Sequence, residues 1–335
     1  MNPWRLATPR LQPTFERFFF RSTGFVCQQQ FGSELFTSQP TAKIVRTDGS
    51  DTAVVVQGPI VTRRQFTARS LRLLKRQYPG IRLVLSTWSD TPRDVVRELS
   101  PMLDELVLSH KPPQPGPSNI NLQIHSTHEG LLRARDPSLK FVLKSRTDIA
   151  LLDDFWLDTM KLRLSSKPAE LGSDVRNPLC VTALNSYFFR PYTVSDFIQF
   201  GLNSEVREFW QIDSDTRSSL PAAPSPLEWA QLQAAEARPC VARAQRHLGD
   251  LAWTMRESLD FILRNYRIID SASIGLFWFK YDWYRNHRGI KRLAKGNRIM
   301  WSEALEEVVR SNFNRLQFVD LDAMANRQFG EIGEM

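Results

Sequence analysis

The chain is poor in cysteine, with three (Cys27, Cys180 and Cys240) in 335 residues. They are far apart and odd in number, and none forms a C-x-x-C pair. Neither a disulfide framework nor a four-cysteine zinc site can be assembled from them, and isolated reduced thiols are the expectation. The five histidines lack the H-x-x-x-H interval that sets two ligands on one helical face, which argues against a zinc hydrolase. Apolar residues make up 42% of the chain, yet no unbroken run nears the ~18 residues of a bilayer-spanning helix. A secretory signal, with its apolar segment and small-residue cleavage site, is not visible at the start. Neither G-x-G-x-x-G nor G-x-x-x-x-G-K-[ST] occurs, so a Rossmann dinucleotide site and a P-loop are both unsupported.

What the chain does have is positive charge: 44 basic residues against 36 acidic ones, a net +8. Such a balance favours anionic partners, whether nucleotides, phosphorylated sugars, acidic lipid headgroups or nucleic acid. Much of it falls on a predicted helix from Thr62 to Tyr78, carrying Arg63, Arg64, Arg69, Arg72, Lys75 and Arg76. No aromatic-bearing RNA motif accompanies that helix, so a solvated face is expected there and nucleic acid is not.

Residues 1–50 read as an N-terminal arm or leader, arginine-rich and acid-poor, with an organellar transit peptide as the alternative. Regular structure becomes legible at Ala53. The apolar run Ala53–Ile60, broken by Gly58-Pro59, predicts a strand buried on both faces. Strands follow at Ile81–Ser86, Glu105–Leu108 and Lys140–Asp148, separated by helices at about 92–103 and 121–135. Strands alternating with helices indicate parallel βαβ units, an α/β sheet covered on both sides. Beyond a Pro/Ala/Ser stretch at Leu220–Pro226, residues 221–335 read as a more helical region. Its features are an amphipathic helix over Asp250–Tyr266, an aromatic block from Phe277 to Tyr284 and a basic run from Arg285 to Arg298.

In parallel sheets, ligands bind beyond the carboxyl ends of the strands, which directs attention to three places. Lys144, Arg146 and Asp148 alternate along one strand and so face one side, stepping roughly 6–7 Å per pair. Two cations and a carboxylate suit a diphosphate with a divalent ion, Mg²⁺ or Mn²⁺; a salt-bridge ladder on an exposed edge explains them equally well. Thr87 and Asp90 stand where such sheets place a ribose contact, or Asp90 caps the next helix. Gln57-Gly58 admits the backbone to a base or ribose, because glycine has no Cβ, or is a tight turn. Asp196 and Glu228, further on, are candidate general bases or ordinary surface acids.

Together these segments resemble the WavE lipopolysaccharide-synthesis family of glycosyltransferases. The resemblance is carried by Val55–Ile60, Tyr78-Pro79-Gly80, Leu85–Trp88, Asn121-Leu122-Gln123, Ser126-Thr127, Gly130-Leu131, Leu143–Asp148, Ser195-Asp196 and Phe200-Gly201. It implies a GT-A-like fold over residues 51–220, binding a nucleotide-sugar donor, with a glycan or glycolipid acceptor. Residues 221–335 would then contact the acceptor or a membrane surface. On this reading Gln57, Gly58, Thr87 and Asp90 lie by the nucleoside, Lys144 and Arg146 by the diphosphate, and Asp148 on the metal or the donor ribose. Asp196 or Glu228 would serve as acceptor base in an inverting reaction. Arg146-Thr147-Asp148 stands where many such enzymes carry Asp-x-Asp, so a cation replaces one metal-binding carboxylate and metal dependence is open. The expected location is cytoplasmic or peripheral on a membrane, with an organelle or the Golgi as alternatives. The rivals are a non-catalytic basic α/β protein that binds an anionic polymer or membrane, and a nucleotidyltransferase.

Overall fold

Strand β1 (Thr52–Gln57) is apolar at successive positions because the sheet is covered on both faces. Ala53 and Val55 enter one core while Val54 and Val56 enter the other. The computed structural model describes residues 46–116, 119–165, 177–184, 186, 194–214, 255–271, 273–279 and 303–312. The remainder of the chain, including the arm at 1–45, Glu228, the linker at 220–226 and the basic run at 285–298, lies outside the described residues.

Around β1, the strands β2 (Arg82–Trp88), β3 (Glu105–Ser109), β4 (Phe141–Arg146), β6 (Leu179–Thr182), β7 (Gln199–Leu202) and β8 (Tyr266–Ile269) complete a seven-stranded sheet ordered β3-β2-β1-β4-β7-β6-β8. Only β7 runs antiparallel to its neighbours; the other pairings are parallel. A separate antiparallel pair joins β5 (Ile149–Leu151) to β9 (Leu276–Trp278). This is the mostly parallel α/β sheet flanked by helices that the alternating pattern predicts. The region expected to be helical beyond residue 220 also contributes β8 and β9, so the sheet extends past that boundary.

Helices cover both faces. On one lie α1 (Phe66–Gln77), α2 (Arg93–Leu99) and α4 (Trp156–Ser165), burying Leu71, Leu74, Leu99, Trp156, Leu157 and Met160. On the other lie α3 (Ile120–Leu132), α5 (Asn203–Trp210) and α6 (Met255–Asn265), burying among others Ile124, Val206, Phe209 and Ile262. Helix α3 sits very close to the sheet: a Cβ on Gly130 would stand 2.5 Å from Val55 Cγ1 and 3.0 Å from Ser86 Cβ. Among the described residues, no helix is long and apolar enough to cross a membrane.

The last described helix, α7 (Glu303–Asn312), closes the edge strand β8. Glu303 Oε1 accepts from the Asp270 amide (2.8 Å), and Asp270 Oδ1 accepts from the Glu303 amide (3.2 Å). Burial first, and then the nearby Glu303 charge, push Asp270 up to about 6. A carboxyl raised on folding contributes stability that is complete below its unfolded value and lost as pH climbs through about 6. Asp270→Asn keeps the oxygen that accepts from Glu303 and removes the repulsion. Urea unfolding should find the variant more stable by about 1–2 kcal/mol at pH 8, with the gap closing towards pH 4.

Candidate active site

Two features of topology build the site. Because β7 runs against β4, with Gln199 opposite Lys144, the segment entering β7 arrives at the carboxyl end of β4. That brings Asp196 to Arg146 although fifty residues separate them. Because β5 pairs with β9, with Ile149 opposite Trp278, the aromatic block is delivered beside Asp148.

The strand predicted to run through Asp148 stops at Arg146, and Thr147-Asp148 make a turn before β5. The turn is fixed on three sides. The Thr147 amide donates to the Gln57 carbonyl (3.0 Å), its hydroxyl donates to the Pro59 carbonyl (2.6 Å), and its carbonyl accepts from Thr67 (2.9 Å). Gly58, at φ 116°, passes so near this turn that a Cβ would stand 3.2 Å from Thr147 Oγ1. As a result Lys144, Arg146 and Asp148 do not step along one face. Asp148 folds back onto Arg146, and its two carboxylate oxygens accept from Nε at 2.9 Å and Nη2 at 3.0 Å.

Around this fork the contacts are dense. Trp278 Nε1 donates to Asp148 Oδ2 (2.9 Å), and the Phe279 amide donates to the Asp148 carbonyl (2.9 Å). The Arg146 guanidinium lies 5.1 Å from the Phe197 ring centre and 5.9 Å from that of Trp278, and these rings are 4.4 Å apart. Arg146 Nη1 is 3.8 Å from Asp196 Oδ2, which also accepts from Gln123 of α3. The Arg146, Asp148 and Asp196 side chains remain 22%, 14% and 12% exposed, so the cluster reaches solvent. Arginine's planar fork suits a carboxylate held this way.

The remaining expected site residues divide. Gln57 adjoins the cluster, paired in register with Arg146 and almost fully buried. Its Oε1 accepts from Ser126 (2.7 Å), while its Nε2 has no acceptor among the described residues. Lys144 is wholly buried. Its ammonium donates to the Asp196 carbonyl and lies 4.6 Å from the Trp210 ring centre, so it lies beneath the Arg146–Asp148 cluster. Burial pushes it down to about 7, against the opposing pull of Asp196. Thr87 is buried and follows Leu83 and Leu85 onto the opposite face of the sheet from Gln57. Asp90 is exposed and paired with Lys111 at 2.6 Å. These two therefore stand apart from the cluster, Thr87 by strand alternation and Asp90 because Lys111 draws it into solvent.

Gln123, Ser126, Phe197, Trp210 and Trp278 are parts of the site that sequence reasoning did not assign. Gln123 and Ser126 lie in segments that carry the family resemblance, and Trp278 lies in the aromatic block, so each had a signal of the wrong kind. In the short 3-10 helix Arg63–Gln65 between β1 and α1, Arg63 and Arg64 are exposed, and Arg63 lies 5.9 Å from the Phe279 ring centre. Arg64 and Gln65 both adopt left-handed backbone angles, φ 56° and 53°. Such angles are costly for residues with a side chain, of the order of 1–2 kcal/mol each, and they gather at ligand sites.

A resident divalent ion does not fit the described donor set. Asp148 already accepts from Arg146 and Trp278, and an ion bridging it to Asp196 would stand against the guanidinium. No three acidic, histidine or cysteine side chains among the described residues form a group able to hold one.

No curated protein matches the chain in sequence. Among solved structures it is similar to 4-diphosphocytidyl-2C-methyl-D-erythritol synthase from Anaerococcus prevotii, at 12% identity over 65% of this chain and 88% of that one, TM-score 0.32. It is also similar to the glycosyltransferase GlyE of Streptococcus pneumoniae, at 12% identity over 84% of this chain and 64% of that one, TM-score 0.31. A third is mannose-1-phosphate geranyltransferase from Thermus thermophilus, at 11% identity over 72% of this chain and 79% of that one, TM-score 0.32. The family model for WavE lipopolysaccharide synthesis matches residues 52–279, well over half of the sequence, and the chain belongs to that family.

Proposed function

We propose that the protein transfers a sugar from a nucleotide-diphosphate donor to a glycan or glycolipid acceptor of the lipopolysaccharide kind. The observation that carries this reading is the meeting of Asp148, Asp196 and Arg146 under the Trp278–Phe197 pair, at the carboxyl edge of parallel strands. An aromatic ring accepts the C–H face of a sugar, and a neighbouring carboxylate accepts from its hydroxyls. Trp278 and Asp148, joined by the indole N–H, combine the two.

The nucleoside lies by Gln57, whose amide nitrogen offers donors to a base or ribose. As the bond to the anomeric carbon breaks, negative charge grows on the diphosphate. A guanidinium fixed in advance by Asp148 and two rings stabilises that charge without reorganising. With Lys144 protonated, its charge and that of Arg146 are balanced by Asp148 and Asp196, so attraction for the donor comes from further out, from exposed cations such as Arg64. In an inverting reaction Asp196 accepts the proton of the attacking acceptor hydroxyl. The cytoplasmic or membrane-surface location is part of this proposal, since the acceptor's anionic headgroup suits a chain of net +8.

Thermal-shift measurements with nucleoside diphosphates, with and without Mn²⁺, test donor binding. A ligand at 100 times its Kd raises stability by about 2.7 kcal/mol, and the shift should be present without the metal. A protein that ignores every nucleotide but binds anionic vesicles contradicts the reading.

A further inference from the structure

Lys144 is an unusual residue to find where it is. It sits in the middle of a seven-stranded sheet, wholly buried, on the face shared with Val142 and Arg146. A lysine ammonium is seldom buried without a partner, and here it has two. One is the backbone carbonyl of Asp196, and the other is the Trp210 ring of α5, 4.6 Å from Nζ to the ring centre. That ring is itself fixed, because Trp210 Nε1 donates to Gln199, the residue opposite Lys144 in the β4–β7 pair. Lys144 therefore connects the floor of the site to the segment that carries Asp196. Gln123 and Arg146 approach only the Asp196 side chain, whereas Lys144 holds its main chain.

We propose that Lys144 is a positioning residue for Asp196, anchoring the Val194–Ile198 segment from beneath so that the carboxylate stays beside Arg146. This rests on the sugar-transfer reading in one respect, that the carboxylate so held acts on the acceptor. The anchoring itself can be tested without any activity. The charges that bear on Lys144 are Asp196 above it, with Arg146 and Asp148 at the end of its own strand. Helix α5 faces it with the Trp210 ring and β7 with the Gln199 amide, both uncharged. Burial lowers the ammonium to about 7, so the charge that binds the carbonyl and the ring is removed at mildly alkaline pH. A neutral amine keeps a weaker hydrogen bond and loses the attraction to the ring.

The test compares the wild type with Lys144→Met and Lys144→Arg, using deuterium uptake of the 194–198 segment at pH 6 and pH 8.5, corrected for intrinsic exchange. The wild type should protect the segment at pH 6 and lose about tenfold of that protection at pH 8.5. Lys144→Met should be unprotected at both, and Lys144→Arg protected at both, since a guanidinium keeps its charge. Should Lys144→Met fail to fold, Trp210→Phe, which weakens the ring contact and leaves the lysine, must give intermediate protection. Nucleotide release from a sugar donor supplies the second readout. The alkaline fall in kcat/KM near pH 7–8 should vanish in Lys144→Met, which runs flat and low, and move above pH 9 in Lys144→Arg. Equal protection in the wild type and all folded variants at both pH values overturns the proposal. If no donor is turned over while the uptake pattern holds, the anchoring stands and the sugar-transfer reading falls.

Discussion

Asp148→Asn is expected to reduce turnover of a nucleotide sugar by roughly 100-fold or more while leaving the fold intact. The aspartate carboxylate accepts from both the guanidinium and the indole, with contacts of 2.9 and 3.0 Å to Arg146 and 2.9 Å to Trp278. An asparagine side chain must turn its NH₂ towards one of those donors, so one contact becomes a clash of hydrogens and the fork comes loose. Loss of a charge-assisted fork and of a carboxylate for sugar hydroxyls is worth about 3 kcal/mol, close to two decades in rate. The stability penalty should be smaller, within about 2 kcal/mol. Arg146 already lies 3.8 Å from Asp196 and can re-pair with it, and the cluster is partly open to water. Turnover kinetics and urea unfolding on the same preparation separate the two effects. Full activity in this variant would remove Asp148 from the site.

The largest stability effect is expected at Glu306, on the helix that covers edge strand β8. Its carboxylate is almost wholly buried and receives Arg163 at 2.8 Å, Arg310 at 2.5 Å and the amide of Ile268 at 2.6 Å. The last contact matters because β8 is an edge strand, whose outward amides would otherwise lack a partner. Glu306→Ala removes the buried carboxylate that Arg163 and Arg310 share and leaves the Ile268 amide without its acceptor. Removing one partner of a buried pair typically costs about 3–5 kcal/mol, and urea midpoints should fall accordingly. Glu306→Gln keeps an acceptor for Ile268 and should lose about half as much. A loss below about 1 kcal/mol for the alanine variant would mean that α7 does not clamp this edge.

The sheet was legible because its strands are apolar on both faces and end in recognisable punctuation such as Tyr78-Pro79-Gly80. The rule that ligands gather beyond strand ends then led to Gln57, Arg146 and Asp148, which do meet. What pattern alone could not supply was long-range. Nothing local to residues 194–202 states that β7 inserts antiparallel between β4 and β6, and that insertion is what carries Asp196 to Arg146. Alternation also continues through Asp148 on paper, so the turn at Thr147, held by Gln57, Pro59 and Thr67, was invisible. The burial of Lys144 is hidden from pattern for a related reason. A charged strand residue is ordinarily taken to face a ligand or solvent, whereas here a distant carbonyl and ring make its burial tolerable. The sequence shows Trp278 as one member of an aromatic block, and the β5–β9 pair is what sets its polar end beside a carboxylate.

The most direct test is release of free nucleotide from a panel of nucleotide sugars offered with a lipopolysaccharide-type glycolipid acceptor. Release of a nucleoside diphosphate from at least one donor, faster with acceptor present and suppressed by Asp148→Asn, is the expected result. No release from any donor, or pyrophosphate release from a nucleoside triphosphate and a sugar phosphate instead, would contradict sugar transfer.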